Sequence, residues 1–168
     1  MTGAGSPAAG SLDRRAAAGV RTALLVARFN QDITDRLLEG ARRALLDHGA
    51  SASDIAEVRV PGAWELPQAA ARAVESNAFD AIVALGCVIR GETPHFDYVC
   101  TEATLGLGAV ARAARVPLAF GVLTTDDADQ ARARAGDGTD NKGYEATLAV
   151  LEMVSVYRLL AGRRGAAD

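Results

Sequence analysis

From residue 20 onward, nearly unbroken apolar stretches alternate with stretches in which apolar residues recur every three or four positions. The first pattern fits a strand buried on both faces, and the second fits a helix with one apolar stripe. Residues 20–28 (VRTALLVAR) form the first such strand. Ile33, Leu37, Leu38, Ala41, Ala44, Leu45 and His48 then step at helical spacing, and Gly49 supplies a stop. Residues 55–60 read as the second strand. Pro61-Gly62 turns into a helix near Trp64, where Pro67 is tolerated in the first turn. Residues 80–87 (DAIVALGC) are the third strand, followed by a polar loop over 88–97 and a helix of about 18 residues. The fourth strand is 117–124 (PLAFGVLT). A helix over 126–134, a Gly- and Asp-rich break at 135–141 and a helix over 144–160 complete the pattern.

Strands separated by helices imply parallel pairing with right-handed crossovers, hence a three-layer, doubly wound α/β sandwich. Every strand-to-helix loop then opens on one rim of the sheet, where ligands bind in such folds. At 168 residues the chain fits a single domain, expected over 20–168, with the Gly-, Ala- and Ser-rich residues 1–19 as a flexible N-terminal arm. The helix around residues 102–116 carries only Glu102, Arg112 and Arg115 as charges. Its remaining surface is apolar nearly all round, so a second subunit is expected on the side turned away from the sheet.

Composition narrows the function. Hydrophobic residues make up 49% and charged residues 23%, as in a globular domain with a sizeable core. A net charge of −3 with no basic stripe argues against nucleic-acid binding, and no apolar run approaches the ~20 residues of a membrane span. Cys87 and Cys100 form no CxxC and have no clustered histidines, so reduced thiols in the cytoplasm are expected, with no metal and no cofactor.

Five of the eight aromatics, Phe29, Trp64, Phe96, Tyr98 and Phe120, fall at or just past the carboxyl ends of predicted strands, as stacking groups for a flat heterocycle would. Tyr98 and Phe96 could equally close the end of the core. His95 lies in a loop of charged and hydroxyl residues; an imidazole passes protons either way near neutrality, yet a lone loop histidine is as readily a bystander. His48, before Gly49, suits a helix cap. Gly91-Glu92-Thr93 can aim backbone N–H groups at a phosphate, and Arg134 and Lys142 flank the break, as anion ligands or as solvated helix-end cations. Gly106-Leu107-Gly108-Ala109-Val110-Ala111 has dinucleotide-fingerprint spacing but lies inside a helix, so it is rejected. Neither a Walker sequence nor a GxSxG elbow occurs.

Five segments taken together resemble the lumazine synthase family: ARFN at 27–30, VPGAWELP at 60–67, GCVIRGETPHFDYV at 86–99, FGVLTT at 120–125, and RAG…NKG between 134 and 143. The resemblance covers about residues 20–160. It implies a flavodoxin-like four-stranded parallel sheet and a transferase that condenses 5-amino-6-(D-ribitylamino)uracil with 3,4-dihydroxy-2-butanone 4-phosphate. It assigns Phe29 to stacking on the pyrimidine, and Ala63, Trp64 and Glu65 to the ribityl chain. The backbone of Cys87, Val88 and Ile89 would read the ring, and Phe120 would be a further contact. Glu92, Thr93, Arg134 and Lys142 would hold the keto-phosphate, and His95 would transfer protons. The resemblance also implies a pentamer, with twelve pentamers assembled into an icosahedral shell because the break at 135–141 is short, and a functional association with riboflavin synthase. The alternative is a non-catalytic flavin- or lumazine-binding or shell-forming paralogue. A flavodoxin or receiver module is disfavoured, because Arg28-Phe29-Asn30-Gln31 offers neither a hydroxyl-rich phosphate loop nor an acidic cluster.

Overall fold

The computed structural model describes residues 12–162. Its strands, numbered in chain order, are β1 (Thr22–Ala27), β2 (Ile55–Val60), β3 (Ala81–Ile89) and β4 (Leu118–Thr125). They form one sheet in the order β2-β1-β3-β4 with every neighbouring pair parallel. The helices are α1 (Gln31–Asp47), α2 (Leu66–Glu75), α3 (His95–Ala113), α4 (Ala128–Ala133) and α5 (Lys142–Gly162).

Strand alternation sorts the core into two layers. Leu24, Val26, Val83 and Leu85 point to one face, where they pack with Ile33, Leu37 and Leu45 of α1, Ala131 of α4 and Leu151 of α5. Leu25, Ala27, Ile82 and Ala84 point to the other and meet Leu66 and Ala70 of α2 and Ala103 and Leu107 of α3. The central strands β1 and β3 are buried on both sides, which is why their sequences are apolar without alternation. Each large aliphatic side chain so buried contributes about 1.5–3 kcal/mol, so these two strands carry most of the sheet's stability. β2 is an edge strand and partly exposed.

The opposite, amino-terminal rim is fastened by charge. Arg21 donates from its backbone N and Nε to Asp80 Oδ2 (2.9 and 3.0 Å) and from Nη2 to Oδ1 (2.9 Å), while Asp80 N donates to Arg21 O (2.8 Å). This joins the starts of β1 and β3.

Several boundaries differ from the sequence expectation. β3 runs to Ile89 and α3 starts at His95, so the loop expected over 88–97 shrinks to 90–94. Val88 and Ile89 are held in the sheet by register with Thr124 and Thr125, and Pro94, at φ −63°, leads directly into the helix. α5 begins two residues before Tyr144, because the buried Asn141 caps it: Oδ1 accepts from Gly143 N (2.8 Å) and Tyr144 N (3.2 Å). Phe120 is the third residue of β4 rather than a rim residue, which corrects its expected place at a strand's carboxyl end. His48 does cap α1, its Nδ1 lying 2.8 Å from Ala44 O ahead of Gly49 at φ +88°. Of the expected N-terminal arm, residues 1–11 lie outside the described residues. Leu12 already packs against the core, and Ala17 is buried with its N–H on His48 O (3.0 Å).

Candidate active site

The sheet order places a topological switch between β1 and β3: the crossover from β1 runs one way and those from β2 and β3 the other. This is the strand order for which the handed crossover rule puts the ligand crevice outside the carboxyl ends of β1 and β3. Hydrogen bonding shows how the crevice opens. β1 is in register with β3 only as far as Val26↔Leu85. Beyond that level β1 leans towards β2, with Arg28 N donating to Val60 O (2.8 Å) and Phe29 N to Pro61 O (3.1 Å). One edge of β3 from Gly86 onward is thereby freed of its neighbour, although the other remains paired with β4. Apart from Cys87 O, which accepts from Asn30 Nδ2, backbone groups on that edge are left for a ligand, since buried peptide groups need partners.

A cleft of about 470 Å³ occupies this opening, a size suited to a small heterocycle. Among the expected site residues, Phe29, Ala63, Trp64, Glu65, Cys87, Val88, Ile89, Thr93 and His95 line it together, and Gly91 and Phe96 join them. Phe29 is 73% exposed while lining the cleft, so its ring is open to a ligand. Trp64 and Glu65 sit on a single 3-10 turn, Ala63–Glu65, ahead of α2. That turn is tied by Glu65, whose Oε2 accepts from Gly62 N at 2.9 Å, so the carboxylate is oriented before any ligand arrives. Burial foremost, and the Asp32 carboxylate second, push the Cys87 thiol up to about 11. Cys87 therefore remains a neutral wall residue at physiological pH, not a nucleophile. His95 opens α3 at the mouth of the cleft, and Glu92 stands on the short loop between the two lining residues Gly91 and Thr93.

Asn30 is the residue the sequence reading passed over. It lies between β1 and α1 in the left-handed conformation (φ 56°, ψ 50°), lines the cleft, and donates from Nδ2 to Cys87 O at 2.9 Å. The signal was present: Asn after an aromatic at a strand end is one of few residues that accepts positive φ.

Phe120, Arg134 and Lys142 are not in this cleft. They line a second, wider depression of about 930 Å³ between β4 and α5, with Thr139, Asp140 and Tyr144. Asn141 builds this wall too, donating from Nδ2 to Arg36 O (3.0 Å) and Gly136 O (2.8 Å), so the 135–141 loop is pinned to α1. Lys142 N donates to Arg134 O (2.9 Å), which joins the two backbones beside the depression that both residues line. Their charges differ in availability. Lys142 Nζ is paired with Glu145 (2.6 Å), whereas Arg134 spends Nη1 on the neutral Gln130 O (2.9 Å). Within one copy, then, Phe29 and His95 share a cleft while Arg134 lines another. Among the described residues no cluster of His, Cys, Asp and Glu could hold a metal ion, and no helix is long and apolar enough to cross a membrane.

Comparison with known proteins identifies relatives along most of the chain. The family model described as 6,7-dimethyl-8-ribityllumazine synthase matches residues 19–158. A 6,7-dimethyl-8-ribityllumazine synthase from Chlorobaculum tepidum is 48% identical over 144 residues, spanning 86% of this chain and 93% of the relative. One from Chlorobium phaeobacteroides is 51% identical over 142 residues, spanning 84% and 92%. One from Campylobacter lari is 52% identical over 136 residues, spanning 81% and 87%.

Proposed function

The chain belongs to the 6,7-dimethyl-8-ribityllumazine synthase family of riboflavin biosynthesis, and from that membership we propose how its two clefts perform the condensation. The substrates are 5-amino-6-(D-ribitylamino)uracil and 3,4-dihydroxy-2-butanone 4-phosphate, which makes the enzyme a transferase. Phe29 stacks on the pyrimidine, the freed edge of β3 at Cys87, Val88 and Ile89 hydrogen-bonds its polar rim, and Ala63, Trp64 and Glu65 take the ribityl chain. The ring amine attacks the ketone and water leaves to give a Schiff base. Phosphate is then eliminated, and the second nitrogen closes the ring with loss of another water. His95 moves protons in these steps, while the backbone N–H groups of Glu92 and Thr93 on the loop and the side chain of Arg134, assisted by Lys142, hold the departing phosphate. Co-binding of the two reactants can supply about 7–11 kcal/mol of the barrier reduction, and one general acid–base group about 10²–10⁴-fold.

Arg134, Lys142 and Phe120 reach the His95 cleft from a second copy of the chain, so each reaction site is made by two subunits. The observation that supports this is the division itself: Arg134 and Phe29 line separate clefts of one copy. Leu105 on α3, 65% exposed, gives a subunit interface apolar surface to cover. The assembly we infer is a pentamer, with twelve pentamers in an icosahedral shell, working in the cytoplasm, with riboflavin synthase as the associated enzyme. Mixing His95→Ala and Arg134→Ala chains by co-refolding tests the shared site. Activity should rise well above either variant alone, because some mixed sites regain both groups. No recovery in verified mixed oligomers would overturn it.

A further inference from the structure

The loop 90–94 carries the anion-binding backbone and ends at His95, yet residues 90–95 are all exposed or half-buried, and no described residue hydrogen-bonds the His95 ring. A Cβ added at Gly91 would meet nothing within 4 Å. Something other than packing must hold this loop still. Arg90 is the group in contact with everything around it. Its backbone N donates to Thr125 O (2.9 Å), and its Nε donates to Asp126 Oδ1 (3.1 Å) on the turn leaving β4. Nη1 reaches Asp97 Oδ1 more loosely at 3.4 Å, and the guanidinium lies 4.1 Å over the Phe96 ring. One side chain thus grips the loop's start, the first turn of α3 and the neighbouring strand's exit. Residues Phe96 and Asp97 directly follow His95, so holding them fixes the imidazole's base.

We propose that Arg90 is a positioning residue, which sets His95 and the Gly91–Thr93 backbone against the keto-phosphate through Phe96, Asp97 and Asp126. An isolated exposed ion pair contributes little, but this guanidinium combines two carboxylates with a ring face, and the planar fork is what lets it do all three. Lysine has one point charge and cannot span the same partners. The inference rests on the condensation reading of the cleft.

Steady-state kinetics on the full chain, varying each substrate in turn, would test it. Arg90→Ala should lower kcat/KM for the keto-phosphate by about tenfold to a hundredfold, the scale of a small misplacement of reacting groups. The KM for the ribitylaminouracil should stay unchanged, as should the oligomer and the melting temperature. Arg90→Lys should give little rescue, and Asp126→Asn should shift the same constant in the same direction by less. Unaltered keto-phosphate kinetics in Arg90→Ala, or a KM for the ribitylaminouracil raised as much as that for the keto-phosphate, would overturn the positioning role. So would full rescue by lysine. An inactive wild-type enzyme would instead defeat the reading of the reaction, so the two failures are told apart.

Discussion

At the scale of single residues, the proposed mechanism divides the site into groups that hold and a group that reacts. His95→Ala should slow turnover by about 10²–10⁴-fold while leaving activity above the uncatalysed rate, since co-binding survives the loss of the imidazole. Stopped or steady-state assays of product absorbance would measure this, and a complete loss would mean that His95 does more than pass protons. Arg134→Ala should chiefly raise KM for the keto-phosphate, and Lys142→Ala should do so by less, because the Lys142 ammonium is already paired with Glu145. Equal effects would show that this ion pair opens on binding. Cys87 offers a chemical check. Its thiol is pushed up to about 11 and is buried, so in a Cys100→Ser variant native alkylation by iodoacetamide at neutral pH should be slow and become fast in urea. What sequence could show at this scale was residue type: Phe29, Trp64, Glu65 and His95, singled out by their chemistry, all line one cleft. Asn30 was harder to see, because its task is a backbone conformation and one bond to Cys87 O across 57 positions.

At the scale of elements, apolar runs disclosed the strands, and glycines explain how the helices come so close to one another. A Cβ at Gly106 of α3 would stand 2.7 Å from Pro67 Cγ of α2. Gly106, one of the two glycines that mimic a dinucleotide fingerprint, therefore serves helix packing. Gly143 is stricter, since its Cβ would meet the backbone of Leu37, with the carbonyl carbon at 2.7 Å. Gly143→Ala should cost about 1–3 kcal/mol or more by forcing α1 and α5 apart, and urea unfolding would register it. Element ends were less legible than element cores. The starts of α3 and α5 depend on Pro94 and on Asn141, whose amide meets Arg36 O far along the chain, and no local periodicity encodes such partners. The Arg21–Asp80 pair makes a pH prediction. Hydrogen bonding from Arg21, foremost, holds the Asp80 carboxyl below its usual range against opposing burial. Its contribution is thus present above the unfolded value of about 4 and is lost as pH falls through the lower folded value. Asp80→Asn should lower stability at neutral pH by about 0.2–1 kcal/mol, given partly exposed partners, and the two proteins should converge in strong acid. A gap that persists in acid would assign the effect to something other than charge.

At the scale of the whole molecule, the sheet order was legible because four buried strands separated by helices leave few alternatives, and the doubly wound arrangement follows. The single-copy division of the site was not. Phe120, Arg134 and Lys142 look like neighbours of His95 in a motif list, but the side of β4 on which they stand is decided by the direction of the last crossover. Association follows from the same geometry. Leu105→Glu on α3 should dissociate the oligomer and remove activity together, as sedimentation and kinetics on one sample would reveal, whereas a dissociated yet fully active chain would refute the shared site. Meanwhile, the charged clasp joining the beginnings of β1 and β3 stands at the end of the sheet remote from the reacting groups. Changes at that end can therefore be made out of reach of the chemistry. Asp80→Asn, whatever it does to stability, ought to leave turnover at its native pace.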